Sequence, residues 1–308
     1  MAVWSGKKVA VLYGGRSTER EVSLRTGKGC AEALASKGHD VELVDVDLEV
    51  AAKLRSMKAA VAFIALHGRW GEDGCVQGLL ESLAIPYTGS GVLSSALGMD
   101  KVISKLMFKQ AGLAVTEYRV FPRAQARDVT VGDLPFGLPA VVKPAGEGSS
   151  VGVHIVKEAS ELTSACVDAA QYQGDLIVER FVKGAEVDVA VLDGEALGAI
   201  EIVPSREFYD YTAKYTPGMT QYFYPPRLPA DHLASARQAA VEAHKALGCS
   251  GVTRIDFIVN TDGVPYILEA NTMPGMTATS LVPKIAAGAG IPFADLCERL
   301  LDGASLKA

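Results

Sequence analysis

The sequence predicts an α/β protein that becomes α+β in its later lobes, and three observations carry that expectation. In the first third, short apolar β-like runs alternate with helical patterns, the β-α-β rhythm of a parallel sheet covered by helices. Beyond that third, strands, hairpins and helices follow in mixed order. The chain has 308 residues, 49% hydrophobic and 21% charged, enough apolar material for packed cores. A single core stops growing at roughly 250 to 300 residues, so two or three lobes with ligand sites in the clefts between them are expected.

The first strand is residues 8–13, where Val9, Ala10, Val11 and Leu12 form a continuous apolar run that ends at Gly14-Gly15, as in a strand buried on both faces. Thr18 and Glu21 then stand three apart, the spacing of a capping box, which predicts a helix over 22–36. A strand end, a glycine turn and a helix N-terminus therefore meet near residues 16–20. Strands at 40–46 and 59–66 and a helix at 75–83 complete this unit, and one long helix over 91–112 leads away from it. The first boundary falls in that helix, giving an N-terminal domain of residues 1–95.

A central lobe, 96–181, is expected to hold strands at 117–121, 139–144, 152–157 and 175–181 and a helix at 160–172. The last lobe, 182–308, reads as a hairpin (186–203), a long aromatic loop (204–226), a helix (231–247), a second hairpin (252–271) and a final helix (292–301). The aromatic loop, with Phe208, Tyr209, Tyr211, Lys214 and Tyr215, suits a lid, and partner binding is its alternative use.

Composition excludes several functions. With 36 acidic and 30 basic residues the formal charge is -6, so the whole chain offers no electrostatic footprint for nucleic acid. Its five cysteines are odd in number, scattered and never in a C-x-x-C pair, which argues for buried free thiols in a reducing compartment. The apolar runs fall far short of the ~20 residues a membrane span needs, and the N-terminus lacks an apolar signal core. A cytoplasmic protein without membrane contact is expected.

Two stretches carry chemistry. The loop from Lys143 through Gly146-Glu147-Gly148-Ser149-Ser150 to Gly152 could cradle an anion with its backbone N–H groups. It matches neither the P-loop nor the dinucleotide fingerprint, and an extended pattern follows it rather than a helix. It would lie over a nucleotide as a flap, with Lys143 placing a charge on phosphate; a plain mobile turn is the other reading. In the 252–271 hairpin, period-2 alternation puts Ile255, Phe257 and Val259 on one face and Arg254 with Asp256 on the other. Glu269 and Asn271 share a face of the return strand. If the hairpin closes, Arg254, Asp256, Glu269 and Asn271 form one surface. Three oxygen-bearing side chains suit a hard cation, and Arg254 could stabilise developing negative charge; a solvated face with an ion pair is the alternative.

Smaller signals are weaker. His67, after the strand at 59–66, could face a cleft at that strand's carboxyl end or be a packed histidine. Glu179 and Glu186 bracket the passage between the later lobes, where an adenosine could sit. His39, His154, His232 and His244 fall in no metal-ligand spacing, and no nucleophile elbow is present.

Ten segments in series, spanning nearly the whole chain, carry a resemblance: Gly14-Gly15-Arg16-Ser17-Thr18-Glu19-Arg20-Glu21-Val22-Ser23, Ala65-Leu66-His67-Gly68-Arg69, Gly71-Glu72-Asp73-Gly74, Tyr87-Thr88-Gly89-Ser90-Gly91, Met99-Asp100-Lys101, Glu147-Gly148-Ser149-Ser150-Val151-Gly152, Tyr209-Asp210-Tyr211, Ala213-Lys214-Tyr215, Arg254-Ile255-Asp256 and Leu268-Glu269-Ala270-Asn271-Thr272. In this order they resemble the bacterial D-alanine:D-alanine ligases of the ATP-grasp superfamily. The resemblance implies an ATP-grasp fold with an N-terminal Rossmann-like domain, ATP held between the later lobes, two Mg²⁺ or Mn²⁺ ions, and a homodimer in the cytoplasm. The implied activity is ATP-dependent joining of two D-alanines through an acylphosphate, for peptidoglycan precursor and cell-wall synthesis.

By resemblance, Lys101 and Lys143 would contact the phosphates under a flap carrying Ser149 and Ser150, and Lys214 would close onto them with the aromatic loop. Glu179, Arg180, Val182 and Glu186 would form the adenosine pocket, although Arg180 stands where the family commonly has lysine. Asp256, Glu269 and Asn271 would hold the metal ions. Glu19 would bind the first D-alanine's ammonium, with Ser149 and Tyr215 in its hydrogen-bond network and His67 nearby. Arg254 and the Gly275 backbone would face the oxyanion, and Ser280 and Leu281 the second substrate's carboxylate. A sister ligase making D-alanyl-D-lactate or D-alanyl-D-serine is the alternative, and Tyr215 leans toward the dipeptide. An ATP-binding sensor would require a damaged metal site, and a nicotinamide dehydrogenase would need a G-x-G-x-x-G that Gly14-Gly15 does not provide.

Overall fold

The computed structural model describes residues 3–148, 150–205 and 218–307. The N-terminal sheet holds β1 (Lys8–Tyr13), β2 (Asp40–Asp45) and β3 (Val61–Ile64), all parallel in the order β2-β1-β3. The apolar run of β1 is buried on both faces, as expected. Val9 and Val11 pack with Cys30 and Leu34 of α1 (Arg20–Ser36). Ala10 and Leu12 face the other way, toward Leu54 of α2 (Val50–Ser56) and Leu80 of α3 (Cys75–Ser82).

Two local expectations fail here. The capping box does not form: Glu19, not Thr18, is the N-cap of α1, and no side chain caps the helix. Arg20 instead forms a two-pronged pair with Asp45 at the end of β2, which fixes the turn after β1. The long helix of 91–112 is two helices, α4 (Val92–Met99) and α5 (Lys101–Gln110), broken at Asp100. Asp100 is extended (φ -91°, ψ 108°), and its carboxylate accepts from the backbone N–H groups of Val102 and Ile103. An N-cap at that point ends one helix and starts the next.

The central sheet is antiparallel, with β4 (Tyr118–Phe121), β5 (Ala140–Pro144), β6 (His154–Val156) and β7 (Leu176–Arg180) in the order β4-β7-β5-β6. Leu162, Cys166 and Ala169 of α6 (Ala159–Ala169) cover one face, against Val142, Val156 and Val178. The Gly-rich loop joins β5 to its antiparallel neighbour β6 directly, as the sequence predicts.

The C-terminal sheet comprises β8 (Gly184–Leu192), β9 (Glu195–Pro204), β10 (Thr220–Phe223), β11 (Val252–Asn260) and β12 (Pro265–Asn271), antiparallel in the order β10-β9-β8-β11-β12. β10 lies within the stretch read as aromatic loop, so the end of that stretch is a strand paired to β9. The helix α7 (Ala230–Ala246) buries an alanine stripe, Ala236, Ala240 and Ala243, against Val187, Ile255 and Phe257; small side chains let helix and sheet approach closely. Two further helices follow, α8 (Leu281–Gly288), which the pattern did not suggest, and α9 (Phe293–Asp302). Ile285 of α8 and Leu296 and Leu301 of α9 join the core under α1.

All five cysteines are free, and Cys30, Cys166 and Cys297 are buried. Cys75 is exposed at the start of α3, so the expectation of buried thiols fails there. Among the described residues no helix is long and apolar enough to cross a membrane.

Candidate active site

The hairpin β11–β12 closes in the register that builds a polar face. Arg254 lies opposite Asn271 and Asp256 opposite Glu269, while Ile255, Phe257 and Val259 are buried on the far side. On the other flank Asp256 lies opposite Asp188 of β8, and Ile258 opposite Glu186. Cross-strand partners share a face, so Glu186, Asp188, Arg254, Asp256, Glu269 and Asn271 line one polar surface. Asp256 takes Arg254 on both oxygens, from Nε at 2.7 Å and Nη2 at 2.8 Å, and accepts from Asn271 Nδ2 at 3.1 Å. Arg254 Nε also lies 3.0 Å from Asp188 Oδ2. Burial opposes the guanidinium's charge, but Asp256 and Asp188 outweigh it and raise its pKa well above the ordinary value.

Two lysines of α5 cross from this face to the central sheet. Lys101 Nζ is 2.9 Å from Glu269 Oε2 and 2.5 Å from the carbonyl of Glu147 in the Gly-rich loop. Burial lowers its pKa, yet Glu269, with Glu179 and Glu72, brings the net shift upward. Lys105 is fully buried, 3.2 Å from Glu179 Oε1 and 3.4 Å from the carbonyl of Ile267 on β12. Lys143 Nζ meets the same Glu179 oxygen at 2.9 Å, and the Thr116 hydroxyl donates to Oε2 at 2.6 Å. Burial pushes the Glu179 carboxyl up, but Lys105 and Lys143 overcome it and hold it at about 2. Burial takes Lys105 the other way, down to about 8.

The residues expected to meet the first substrate, Glu19 and His67, lie where the N-terminal loops meet the Gly-rich loop. Glu19 Oε2 stands 2.8 Å from the position a Cβ would occupy on Gly68 and 3.9 Å from that on Gly148. A side chain at Gly68, whose φ is +69°, would collide with the carboxylate, so glycine keeps that space clear. His67 is buried at the end of β3, with Nε2 2.9 Å from the Thr26 hydroxyl and Nδ1 3.4 Å from Glu72. It lines a small cavity with Thr88, Thr272 and Met273. A second cleft is lined by Glu72, Lys101, Glu147, Gly148, Glu269 and Asn271, which joins the metal-site candidates to the flap.

The remaining predicted residues divide. Ser280 is the N-cap of α8, and its hydroxyl accepts from the Thr277 N–H at 3.0 Å; a Cβ on Gly275 would meet that hydroxyl at 2.8 Å. The Leu281 side chain is buried in the shared core, so only its backbone can face a ligand. Arg180 is exposed and pairs with Glu117 at 3.4 Å. Val182 and Glu186 are half-buried at the passage from β7 to β8. Ser150 has φ of +57° in the flap turn, whereas Ser149, Lys214 and Tyr215 lie outside the described residues. Sequence reasoning missed Lys105, Thr116, Glu72 and Asp188. No local signal marked Lys105, because α5 buries Lys101, Ser104 and Lys105 along with Phe108 and exposes Ile103 and Leu106, against the amphipathic rule.

A parallel N-terminal sheet, two antiparallel sheets bridged by lysines, and a flap hairpin over a carboxylate-bearing strand pair define the ATP-grasp class. Family models for the D-ala D-ala ligase N-terminus and C-terminus match residues 48–90 and 107–302. A D-alanine–D-alanine ligase of Anaeromyxobacter sp. (strain K) is 72% identical over 308 residues, covering 100% of both chains. The crystal structure of D-alanine–D-alanine ligase from Bacillus anthracis matches with a TM-score of 0.86 at 36% identity over 97% of each chain. Its complex with ATP gives 0.85 at 33% identity, again over 97% of each. The chain belongs to the D-alanine–D-alanine ligase family.

Proposed function

We propose that the protein joins two D-alanines at the expense of ATP, giving D-alanyl-D-alanine, ADP and phosphate for peptidoglycan precursor synthesis. The observation that carries this is the polar face of β8, β11 and β12, set against Lys101 and the Gly-rich flap, with Glu19 beside Gly148 of that flap. On this reading the lobes run 1–95, 96–181 and 182–308, and the protein works as a cytoplasmic homodimer, which light scattering on the purified chain would test.

Asp256, Glu269 and Asn271 fit a hard cation. They offer oxygen donors on one face, and each carboxylate already faces a positive partner, Arg254 or Lys101, as buried carboxylates must. Among the described residues no three His, Cys, Asp or Glu side chains form a metal cluster; the trio supplies its third donor through an amide. Mg²⁺ or Mn²⁺ held there would neutralise phosphate charge.

In the reaction, Glu19 holds the first D-alanine's ammonium, leaving its carboxylate free to attack the γ-phosphorus of ATP and expel ADP. Lys101 and Lys143 hold phosphate oxygens, Ser149 and Ser150 cover them, and Glu179, Arg180, Val182 and Glu186 surround the adenosine. The second D-alanine, its carboxylate received by Ser280 and Leu281 at the N-terminus of α8, attacks the acylphosphate with its amine. Arg254 and the Gly275 N–H stabilise the oxyanion before phosphate leaves. His67 shapes the first-substrate site, where Tyr215 would join the hydrogen-bond network of Glu19 and Ser149, and Lys214 would close with the aromatic loop onto the phosphates. Positioning and preset charge supply most of the acceleration, since the protein forms no covalent bond to substrate.

The test is phosphate release with ATP and Mg²⁺, adding D-alanine, L-alanine, or D-alanine with D-lactate or D-serine, with products weighed by mass spectrometry. Dipeptide from D-alanine alone is expected, and a mixed product formed in preference would make this a sister ligase. Glu269→Gln should keep the fold and lose metal-dependent turnover. A Mg²⁺-dependent, active variant would remove Glu269 from the metal site.

A further inference from the structure

Arg254 is held by more negative charge than its present position requires. Asp256 alone satisfies Nε and Nη2 in a bidentate pair at 2.7 and 2.8 Å. Asp188 adds a second carboxylate 3.0 Å from the same Nε, which carries a single proton. Asp188 is buried, its side chain 2% exposed, and stands directly across from Asp256. Like charges opposite one another on neighbouring strands repel, and a buried carboxylate is costly without a cation. Arg254 is therefore shared between two carboxylates that face each other across β8 and β11.

That sharing allows a second arrangement. Asp256 is also the carboxylate assigned above to the divalent cation. A carboxylate cannot keep both oxygens on a guanidinium and ligate a metal ion without loosening one contact. We propose that Asp188 is a positioning residue that keeps Arg254 neutralised and aimed when Asp256 turns to the cation. The Nε–H then passes from Asp256 to an acceptor already within 3.0 Å, so Arg254 need not follow Asp256 away from the reacting oxygen. This inference rests on the ligase reading and specifies how one buried cation and one metal site share a carboxylate.

The test uses full-length protein carrying Asp188→Asn, which preserves shape and removes charge. Three quantities are read: Mn²⁺ binding in the presence of ADP, by electron paramagnetic resonance and without turnover; kcat and the KM for ATP; and thermal unfolding without metal. Mn²⁺ binding is expected to weaken about tenfold or more, the usual effect of losing a partner behind a metal ligand. In the same variant kcat should fall about tenfold or more with the KM for ATP within about twofold, because Arg254 acts on the transition state. Asp188→Glu keeps the charge but displaces it by one methylene, so it should still lose kcat; it also carries the test should Asp188→Asn fail to fold. Wild-type Mn²⁺ binding and kcat in Asp188→Asn, whatever its thermal stability, would overturn the proposal, as would full recovery of kcat in Asp188→Glu. Wild-type protein that binds no Mn²⁺ with ADP would instead sink the ligase reading itself, and this inference with it.

Discussion

The N-terminal and C-terminal sheets meet through hydrocarbon, whereas the central sheet meets them through charge. Val9, Val11, Leu34 and Phe63 share a continuous core with Ile200, Ile202, Ile285 and Leu301. The central sheet keeps a separate core with α6, and among the described residues the side-chain contacts around its junction include Lys101 with Glu269, Lys105 between Glu179 and Ile267, and Arg69 with Gln173, beside a backbone bond from the Ile267 N–H to the Ala114 carbonyl. Apolar contact is non-directional and scales with area, so it suits a junction that must not open. Paired charges are directional and exchangeable, and the charges of a nucleotide can replace them. The difference places the working cleft along the charged junction.

The largest expected effect breaks the apolar side. Phe63 is 2% exposed within the shared core, and Phe63→Ala should cost about 3–5 kcal/mol through lost burial and the cavity left behind. Denaturant unfolding would measure it, with one cooperative transition for both outer sheets. A separate transition leaving the C-terminal sheet folded would show that the core is not shared.

The contrast also explains what the sequence could and could not reveal. The polar face of β11 and β12 was legible because Ile255, Phe257 and Val259 mark the other face as buried, and a strand of period 2 leaves its polar residues nowhere else to go. The register itself was not legible, and the irregularity between Asp256 and Phe257 had no local signal. Asp188 was not legible either, because Val187-Asp188-Val189-Ala190-Val191 reads as an apolar strand with one outward residue; its meaning depends on which strand lies beside it. Lys105 looked like a solvent residue of a helix, since amphipathic pattern reading assigns lysine to water and leucine to the core, and α5 reverses both. Asp100 could have been recognised, because an N-cap aspartate has a local signature, but the helical periodicity on either side ran through it. The loops carrying Glu19 and His67 were placed correctly at strand ends, while their convergence on Gly148 is a tertiary fact that no local pattern encodes.

A smaller effect probes the charged junction through pH, and in both of its arms, one acidic and one basic, stability rises with pH. Glu179 titrates at about 2 in the fold against an ordinary value of 4.5. The stability it contributes is therefore present above about 4.5 and lost as pH falls toward 2. Lys105 titrates at about 8 in the fold against 10.5. Between those values the unfolded chain binds more protons, so stability rises with pH across that window. Urea unfolding of wild type and Lys105→Met at several pH values between about 7.5 and 10.5 isolates this arm: the wild-type advantage should grow with pH. A constant difference would mean that Lys105 keeps its ordinary basicity inside the protein.

The smallest effect lies where the two kinds of junction come closest. Arg69, in the loop after β3, reaches the side-chain carbonyl of Gln173 beside the flap, and Gln173 in turn ties its own backbone to Glu147 and Gly146. The Arg69 side chain is 50% exposed, so water competes for the contact and Arg69→Ala should change stability by less than about 1 kcal/mol. The contact nonetheless joins the loop that carries His67 to the turn that supports the flap. Its loss should therefore appear in flap closure rather than in folding, as a raised KM for ATP with an unfolding midpoint close to wild type. A variant with lowered stability and unchanged KM would place Arg69 with the apolar junction, as part of what holds the outer sheets together.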